Sequence, residues 1–274
     1  KKLFLTPMTQ EPLLAAYGVT EPHAGSDVQG IKTTAQKVGS DYVINGSKMW
    51  ITNAPIADLA IVWAKTDTGV QGFLIEKSFA GFSTKTIEHK MSLRASITGE
   101  ILLENCMVPD THHLPGTSIG LVAALECLTQ ARYGIAWGAI GAAMSCYDIA
   151  MDYCRIRTQF GKSLTSFQLV QKDLVEMFTE IVKAQCLNLQ IGRLRDAGAS
   201  NYAMVSMAKM NACKQALSIA RASRNLLGAN GITLDYHVIR HMQNLESVFT
   251  YEEGTDNIHH LILGKYITGV SAFD

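Results

Sequence analysis

All six prolines of this 274-residue chain lie at positions 7, 12, 22, 55, 109 and 115, and residues 116–274 contain none. Proline removes a hydrogen bond from a helix interior and clashes with the preceding turn, so a long stretch without it is compatible with long helices. The sequence therefore predicts a first domain over residues 1–115 and a helical second domain over residues 116–274.

The first domain is predicted to consist of short strands, because apolar and polar residues alternate in segments separated by turn formers. The Asn45-Gly46 dipeptide is typical of a tight hairpin, and Asp67-Thr68-Gly69 indicates a second hairpin. Strands of this length and spacing favour a compact antiparallel barrel or sandwich. The six predicted strands are Asp41–Ile44, Ser47–Thr52, Leu59–Ala64, Gly72–Glu76, Phe82–Glu88 and Gly99–Leu103.

The second domain is predicted to be an antiparallel four-helix bundle. Between Leu164 and Arg195, apolar side chains recur at steps of three and four, which is the spacing of one helix face. The expected fold class is α+β, with a strand domain followed by a helical one. The four predicted helices are Gly116–Arg155, Leu164–Arg195, Asn201–Leu227 and Thr255–Thr268.

The composition excludes several classes of protein. The 24 basic and 24 acidic residues give a net charge of zero, which argues against nucleic-acid binding. The uncharged run Tyr133–Tyr147 contains three glycines and is too short to span a membrane. The six cysteines include no Cys-x-x-Cys pair, and the histidine pairs at 112–113 and 259–260 lack the spacing of a metal site. We therefore expect no metal ion and a reducing compartment.

Two segments of the first domain have both a functional and an ordinary interpretation. The segment from Tyr17 to Asp27 is rich in turn formers and small hydroxyls, so it is either a strand followed by an Asx or Ser turn or a loop that holds a phosphate or a polar ring edge. Trp50 is either a core tryptophan or a wall against a flat cofactor, with Thr52 donating a hydrogen bond to the cofactor's edge.

Two segments of the second domain also have both a functional and an ordinary interpretation. The cations between Arg155 and Lys162 either cap a helix or clamp a phosphate. The acidic residues of Tyr251-Glu-Glu-Gly-Thr255 either stabilise the start of the last helix or provide a general base.

Taken in order, these motifs resemble the acyl-CoA dehydrogenase family over nearly the whole chain, from about Met8 to Phe273. Four further motifs are most similar to the glutaryl-CoA dehydrogenases of that family, beginning at Ser92, Ala131, Tyr236 and Leu261. The motifs shared with the family are Tyr17-x-Val-Thr-Glu-Pro-x-Ala-Gly-Ser-Asp, Asn45-Gly-x-Lys-x-Trp-Ile-Thr-Asn, Arg157-x-Gln-Phe-Gly, Leu227-Gly-x-Asn-Gly and Glu253-Gly-Thr.

The resemblance implies FAD-dependent α,β-dehydrogenation of an acyl-CoA thioester, either glutaryl-CoA-like or short-chain. It assigns Glu253 as the base that takes the α-proton, while the β-hydrogen leaves as hydride to flavin N5. Arg157 and Phe160 are assigned to the FAD of a neighbouring subunit, and Arg132 to the CoA portion. The other residues assigned to FAD are Tyr17, Val19, Thr20, Trp50 and Thr52 around the flavin ring, Ser26 near the pyrophosphate, and Gly228 and Thr255.

The resemblance also implies partners and a compartment. An electron-transfer flavoprotein is the expected electron acceptor, and the expected assembly is a homodimer or homotetramer. The expected location is the mitochondrial matrix in a eukaryote and the cytoplasm in a bacterium. Two alternatives are an acyl-CoA oxidase, which passes the electrons to oxygen, and a non-catalytic scaffold that binds flavin or CoA.

Two departures from the family pattern affect these expectations. Family members begin with an all-helical domain that has no counterpart in this sequence, and that domain normally forms one wall of the acyl pocket. In addition, Glu252 and Glu253 stand where glutaryl-type sequences resemble Tyr-Glu-Gly-Thr. Counting back from Gly254 assigns Glu253 as the base, whereas counting forward from the Tyr236 motif assigns Glu252. We favour Glu253 because the Gly-Thr pair fixes the turn.

Overall fold

The computed structural model describes residues 4–116 and 120–272 of the chain. Residues 1–3, 117–119, 273 and 274, which belong to the predicted domains, lie outside the described residues. The chain divides into two units, Lys1–Cys127 and Leu128–Asp274. The last long strand ends at Val108 and the first long helix begins at Leu121, so the change from strands to helices falls between them.

The first unit contains a seven-stranded sheet preceded by a short helix, α1 (Leu5–Gln10). Along the sheet the strand order is β1-β4-β2-β3-β7-β6, and β5 pairs with β4. The strands are β1 (Ala15–Gly18), β2 (Thr34–Val38), β3 (Asp41–Thr52), β4 (Leu59–Thr66), β5 (Gly69–Glu76), β6 (Phe82–Thr86) and β7 (Thr98–Val108).

Most strand pairs are antiparallel, as expected, but two are parallel. Strand β4 runs parallel to β1, with Tyr17 opposite Ile61, and parallel to β2 where Thr34 meets Lys65. The prediction of an antiparallel sheet missed both pairs because β2 was not recognised as a strand and no partner was predicted for a strand near Tyr17. The hairpin around Asp67-Thr68 is confirmed, since Thr66 pairs with Gly69. The pairing of β6 with β7 agrees with the two predicted strands there.

The predicted hairpin at Asn45-Gly46 is wrong, because β3 runs through this dipeptide without turning. The register of β3 against β7 shifts between Ile44 and Gly46, which marks a β-bulge. Gly46 has a φ of +146°, and a Cβ there would lie 2.5 Å from Thr33 Oγ1. This glycine therefore permits a bulge and a close approach, while the actual hairpin joins Val38 to Asp41.

The core of the first unit lies on the buried face of this sheet. Its fully buried side chains include Ile44, Val62, Phe73, Ile75 and Ile101, which come from four different strands. Burying these apolar side chains away from water stabilises the folded sheet.

The second unit is helical. Its first helix, α2 (Leu121–Ile156), begins within the first unit and continues into the second. A short hairpin follows, formed by β8 (Thr158–Gln159) and β9 (Lys162–Ser163). The remaining helices are α3 (Gln168–Asp196), α4 (Tyr202–Leu226), α5 (Val238–Thr250) and α6 (Asp256–Thr268).

The predicted bundle of four helices omitted α5. Its apolar side chains at Val238, Met242, Leu245 and Phe249 follow helical spacing, and Val238 and Leu245 are buried. The signal was present in the sequence, but this stretch was used only as a family motif. For α3 the predicted stripe is confirmed at Leu174, Met177, Ile181, Ala184 and Ile191, all of which are buried. Within the described chain, none of the helices is both long and apolar enough to cross a membrane.

Candidate active site

The turn between α5 and α6 carries the two candidate bases. Glu253 and Gly254 both have left-handed backbones, with φ values of +55° and +98°. Such a φ is strained for a glutamate, and strain of this kind concentrates at functional sites. Thr255 then accepts a hydrogen bond from the Ile258 N–H at 3.1 Å and caps α6, as the sequence interpretation expected.

Two buried cations hold the main chain of this turn. Arg132 of α2 donates from Nε to the Glu253 carbonyl at 2.9 Å. Lys209 of α4 donates from Nζ to the Gly254 carbonyl at 2.9 Å and to the Val248 carbonyl at 3.0 Å. Both cations therefore hold the turn through its carbonyl oxygens.

Burial shifts the protonation of both carboxyl groups of the turn. Desolvation raises the pKa of Glu253 above its usual value, and this outweighs the nearby positive charge of Arg132. Desolvation also raises the pKa of Glu252, against the charge of Lys209. Glu253 Oε2 is buried and has no hydrogen-bond partner within the described chain. A carboxyl group in this state is suited to accepting a proton from a substrate.

His259, which the sequence interpretation took as a surface or local hydrogen-bonding residue, completes the surroundings of this turn. His259 is fully buried, and its Nδ1 lies 2.6 Å from Ser206 Oγ. Burial lowers the pKa of His259 to about 3, so its ring is neutral. A Cβ added to Gly254 would lie 3.3 Å from both His259 Nε2 and Arg132 Nη2. The absence of a side chain at Gly254 therefore leaves room for these two residues.

In the first unit, the residues that resemblance assigned to the flavin ring lie on neighbouring segments. Tyr17 is in β1 and its hydroxyl donates to the Ala124 carbonyl at 3.1 Å. Val19 is buried, and the Thr20 carbonyl accepts from the Met49 N–H at 2.9 Å. This main-chain bond places the Thr20 segment next to the part of β3 that contains Trp50.

Trp50 is not a core residue, although the sequence alone favoured that role. Its side chain is 45% exposed, whereas Trp63 is the buried tryptophan. Between Lys48 and Ile51 the register of β3 against β7 shifts, and Trp50 has a φ of +63°. Bulges of this kind re-aim side chains and are common beside binding sites. Thr52 follows in β3, is exposed and pairs with Thr98.

A buried ion pair that sequence analysis missed joins these segments. Lys48 Nζ lies 2.8 Å from Glu21 Oε1 and donates to the Val19 carbonyl at 3.1 Å. Glu21 also accepts hydrogen bonds from the N–H groups of Lys32 and Thr33 and from the Thr33 hydroxyl. Both charged residues lie inside motifs that sequence analysis had singled out, but their types indicated exposed positions. Ser26, five residues after Glu21, is exposed.

The hairpin after α2 carries the residues that resemblance assigned to a neighbouring subunit. Phe160 is at its tip, with a φ of +52° and 92% of its side chain exposed. Arg157 is also exposed, and it lines an open cavity of about 300 Å³ together with Gly228. Polar side chains of Gln159, Asn225 and Asn230 share this cavity. The structure thus brings Arg157 and Gly228 together.

Comparison with known proteins gives two family matches. Residues 16–106 match the acyl-CoA dehydrogenase middle domain, and residues 119–268 match the acyl-CoA dehydrogenase C-terminal domain. These ranges correspond to the strand-rich and the helical parts of the chain.

Individual relatives agree with this result. A crystal structure of glutaryl-CoA dehydrogenase from Mycobacterium smegmatis matches at 46% identity with a TM-score of 0.97, over 100% of this chain and 70% of that one. A second structure from M. smegmatis, a glutaryl-CoA dehydrogenase in complex with FADH2, matches at 43% identity with a TM-score of 0.97, over the same shares.

A curated relative extends the comparison. The short-chain-specific acyl-CoA dehydrogenase of Clostridium acetobutylicum is 35% identical over 97% of this chain and 72% of its own length. The chain spans 63% to 66% of the length of four plant relatives. By its two domain matches and its identity to these proteins, the chain belongs to the acyl-CoA dehydrogenase family.

Proposed function

We propose that this chain catalyses the FAD-dependent α,β-dehydrogenation of an acyl-CoA thioester. The observation that carries the proposal is Glu253, whose Oε2 is buried without a hydrogen-bond partner within the described residues and whose carboxyl pKa is raised by desolvation. Membership of the acyl-CoA dehydrogenase family supports the same reaction.

Glu253 is the proposed proton acceptor. The α-proton of a thioester is weakly acidic, so the base must have a pKa near that of the activated substrate. Burial already raises the pKa of Glu253, and a bound substrate would exclude further water from it. Its main chain is left-handed, and Arg132 binds its carbonyl oxygen, while the Arg132 charge partly offsets the effect of burial on the pKa of the Glu253 carboxyl group.

The residues of the first unit fit a flat, partly polar cofactor. Trp50 offers an exposed aromatic side chain at a bulge. Thr52 is two residues further along β3, and the Thr20 segment is hydrogen-bonded to Met49 beside it. With Tyr17 and Val19, these residues would hold the ring of FAD, and Ser26 would lie near its pyrophosphate. When bound, FAD supplies the hydride acceptor of the reaction.

The cavity lined by Arg157 and Gly228 supports the assignment of these residues to FAD. A guanidinium group and three carboxamide side chains around an open cavity are suited to a phosphate or an adenosine group. Phe160 is exposed at the hairpin tip, as a residue that reaches another subunit would be. We therefore propose a homodimer or homotetramer in which Arg157 and Phe160 contact a neighbour's FAD.

The substrate and electron acceptor follow from the relatives. Glutaryl-CoA and short-chain acyl-CoA dehydrogenases are both similar to this chain, so a glutaryl-CoA-like or short-chain thioester is the proposed substrate. Arg132 is proposed to lie near its CoA portion as well as holding Glu253. An electron-transfer flavoprotein is the proposed acceptor. The proposed location is the mitochondrial matrix in a eukaryote and the cytoplasm in a bacterium.

A visible spectrum of the purified chain with FAD tests this proposal. We expect an oxidised flavin spectrum that bleaches when glutaryl-CoA or butyryl-CoA is added without oxygen. A coloured protein that no acyl-CoA bleaches would contradict the enzyme and support a binding scaffold. Rapid return of the colour in air would support an oxidase instead of a dehydrogenase.

A further inference from the structure

Lys209 is a buried cation for which the proposed reaction has assigned no role. Its side chain is 1% exposed on α4, and its ammonium group hydrogen-bonds only to the Val248 and Gly254 carbonyls among the described residues. It forms no ion pair within this part of the chain. Burying an ammonium group without a paired carboxylate destabilises the folded state, whereas an apolar side chain could fill the same space without this desolvation penalty.

The two carbonyls that Lys209 binds lie on either side of the turn that carries Glu253. Val248 is in the last turn of α5, where carbonyl oxygens have no partner within the helix and favour a cation. Gly254 immediately precedes Thr255, the residue that caps α6. One ammonium group therefore joins the end of one helix to the start of the next and closes residues 249–253 into a loop.

We infer that Lys209 is a positioning residue for Glu253, acting through the main chain from the buried side of α4. With Arg132 bound to the Glu253 carbonyl and Lys209 bound to the Gly254 carbonyl, two consecutive peptide groups are held from two different helices. This holds Glu253 in its left-handed conformation. The inference deepens the proposed function, because it rests on Glu253 being the base.

Lys209 also adds a positive charge near the carboxyl group that it positions. Its charge lowers the pKa of Glu253, in the same direction as Arg132 and against burial and the neighbouring Glu252. His259 of α6, which lies against Gly254, is neutral because its pKa is about 3. The other titratable groups near Lys209 are Cys213, one turn along α4, and Glu252. Loss of the Lys209 charge should therefore raise the pKa of Glu253.

The test measures the titration of Glu253 directly in the resting protein, without catalysis. Carbon-13 NMR of protein labelled at the glutamate carboxyl carbon reports each carboxyl group, and Glu253→Gln identifies the signal of Glu253. We expect Lys209→Met to raise the pKa of Glu253, because the variant removes a positive charge that favours the carboxylate. Lys209→Gln should do the same, whereas Lys209→Arg, which keeps the charge, should change it little.

A variant that weakens the same helix without changing charge provides the control. Leu217 is a buried core residue two turns further along α4, so Leu217→Ala lowers the melting temperature by opening a cavity. We expect no change in the pKa of Glu253 in this variant. If Lys209→Met does not fold, the Gln and Arg variants decide. The inference is overturned if removing the charge leaves the Glu253 titration unchanged, or if Leu217→Ala moves it equally.

Amide hydrogen exchange tests whether the hydrogen bonds from Lys209 hold the turn around Glu253 in place. We expect exchange at residues 251–255 to become at least about 10-fold faster in Lys209→Met and to stay unchanged in Leu217→Ala, relative to exchange in the core of α4. Equal exchange at this turn in all three proteins would overturn the positioning role. Neither measurement depends on the reaction, so failure of the proposed function would appear separately, as flavin reduction that survives Glu253→Gln.

Discussion

Arg132 and Glu253, which are 121 residues apart in the sequence, are joined by a 2.9 Å hydrogen bond from the guanidinium Nε to the main-chain carbonyl. The bond fixes the backbone of Glu253 and leaves its carboxyl group available. A direct ion pair between the two side chains would instead stabilise the carboxylate and make it a weaker base. Arg132 thus fixes the main chain of Glu253 through the carbonyl, while its charge lowers the pKa of the carboxyl group without outweighing burial.

The first prediction concerns the base. Glutamine at 253 keeps the size and much of the hydrogen bonding of the side chain but cannot accept a proton. In Glu253→Gln, we expect FAD and acyl-CoA to bind as before and flavin reduction to slow by about 10²- to 10⁴-fold. Stopped-flow absorbance without oxygen measures this rate. Glu252→Gln is the matched control and should alter the rate far less.

The reverse result would be equally informative. If Glu252→Gln abolishes reduction and Glu253→Gln does not, then Glu252 is the base and the register favoured from Gly254 is wrong. The structure gives both carboxyl groups a raised pKa, so burial alone does not distinguish them. If neither change slows reduction in an active protein, the acid–base assignment fails.

The second prediction concerns stability in acid. The ion pair with Lys48 and the hydrogen bonds from Thr33 and Lys32 lower the pKa of Glu21 from 4.5 to about 2, against the opposing effect of burial. A carboxyl group with a lowered pKa in the folded state contributes stability that is complete above pH 4.5 and lost as the pH falls through 2. Denaturant unfolding between pH 2 and pH 6 should show this loss.

Glu21→Gln tests the assignment of that loss. The change leaves Lys48 buried without its carboxylate, so it should cost about 3–5 kcal/mol near pH 6. The difference in unfolding free energy between the native protein and the variant should then shrink below pH 4.5. Glu88→Gln is the control, because the Glu88 side chain is 72% exposed. A difference that stays constant with pH would contradict the prediction.

Regular periodicity predicted much of the fold, whereas special backbone geometry was not predictable. The stripe of α3 was visible because every third or fourth side chain is buried. Asn45-Gly46 predicted a turn because the dipeptide favours left-handed backbone, but the same glycine also allows a bulge. Whether a turn or a bulge forms depends on the pairing of β3 with β7. The sequence around Asn45 does not indicate which strand pairs with β3.

For the candidate site, residue types predicted the acidic turn but not what holds it. Composition places lysines at the surface, so the buried Lys48 and Lys209 had no local signal. Residue statistics alone favoured a core position for Trp50, although the resemblance assigned it to the flavin ring, and it is exposed at a register shift between β3 and β7. These residues depend on contacts between distant segments, such as Lys209 with Val248 and Gly254.

The third prediction tests the role of Gly46. A Cβ at this position would lie 2.5 Å from Thr33 Oγ1 and 2.7 Å from its Cα. Gly46→Ala should therefore destabilise the protein by about 2–4 kcal/mol through overpacking and an unfavourable φ. Gly39→Ala is the matched control, since Gly39 has a φ of +64° with nothing within 4 Å of a Cβ, and should cost about 1 kcal/mol. If urea unfolding gave the same loss of unfolding free energy for Gly46→Ala and Gly39→Ala, the steric conflict with Thr33 would be unimportant.

The last prediction concerns the shared cofactor site. Arg157 lines the cavity with Gly228, while Arg155 is an exposed arginine two residues earlier that pairs with Asp152 at 3.5 Å. Loss of a charged hydrogen bond to a phosphate weakens binding by about 10- to 100-fold, so Arg157→Ala should release FAD on dilution while Arg155→Ala retains it. Flavin fluorescence after gel filtration measures the released fraction, and light scattering on the same column gives the oligomeric state.

If Arg157 serves a neighbour's FAD, retention should also fall when dilution separates the subunits of the native protein. A monomer that keeps one tightly bound FAD would contradict the shared site, and equal release from both arginine variants would contradict the specific role of Arg157.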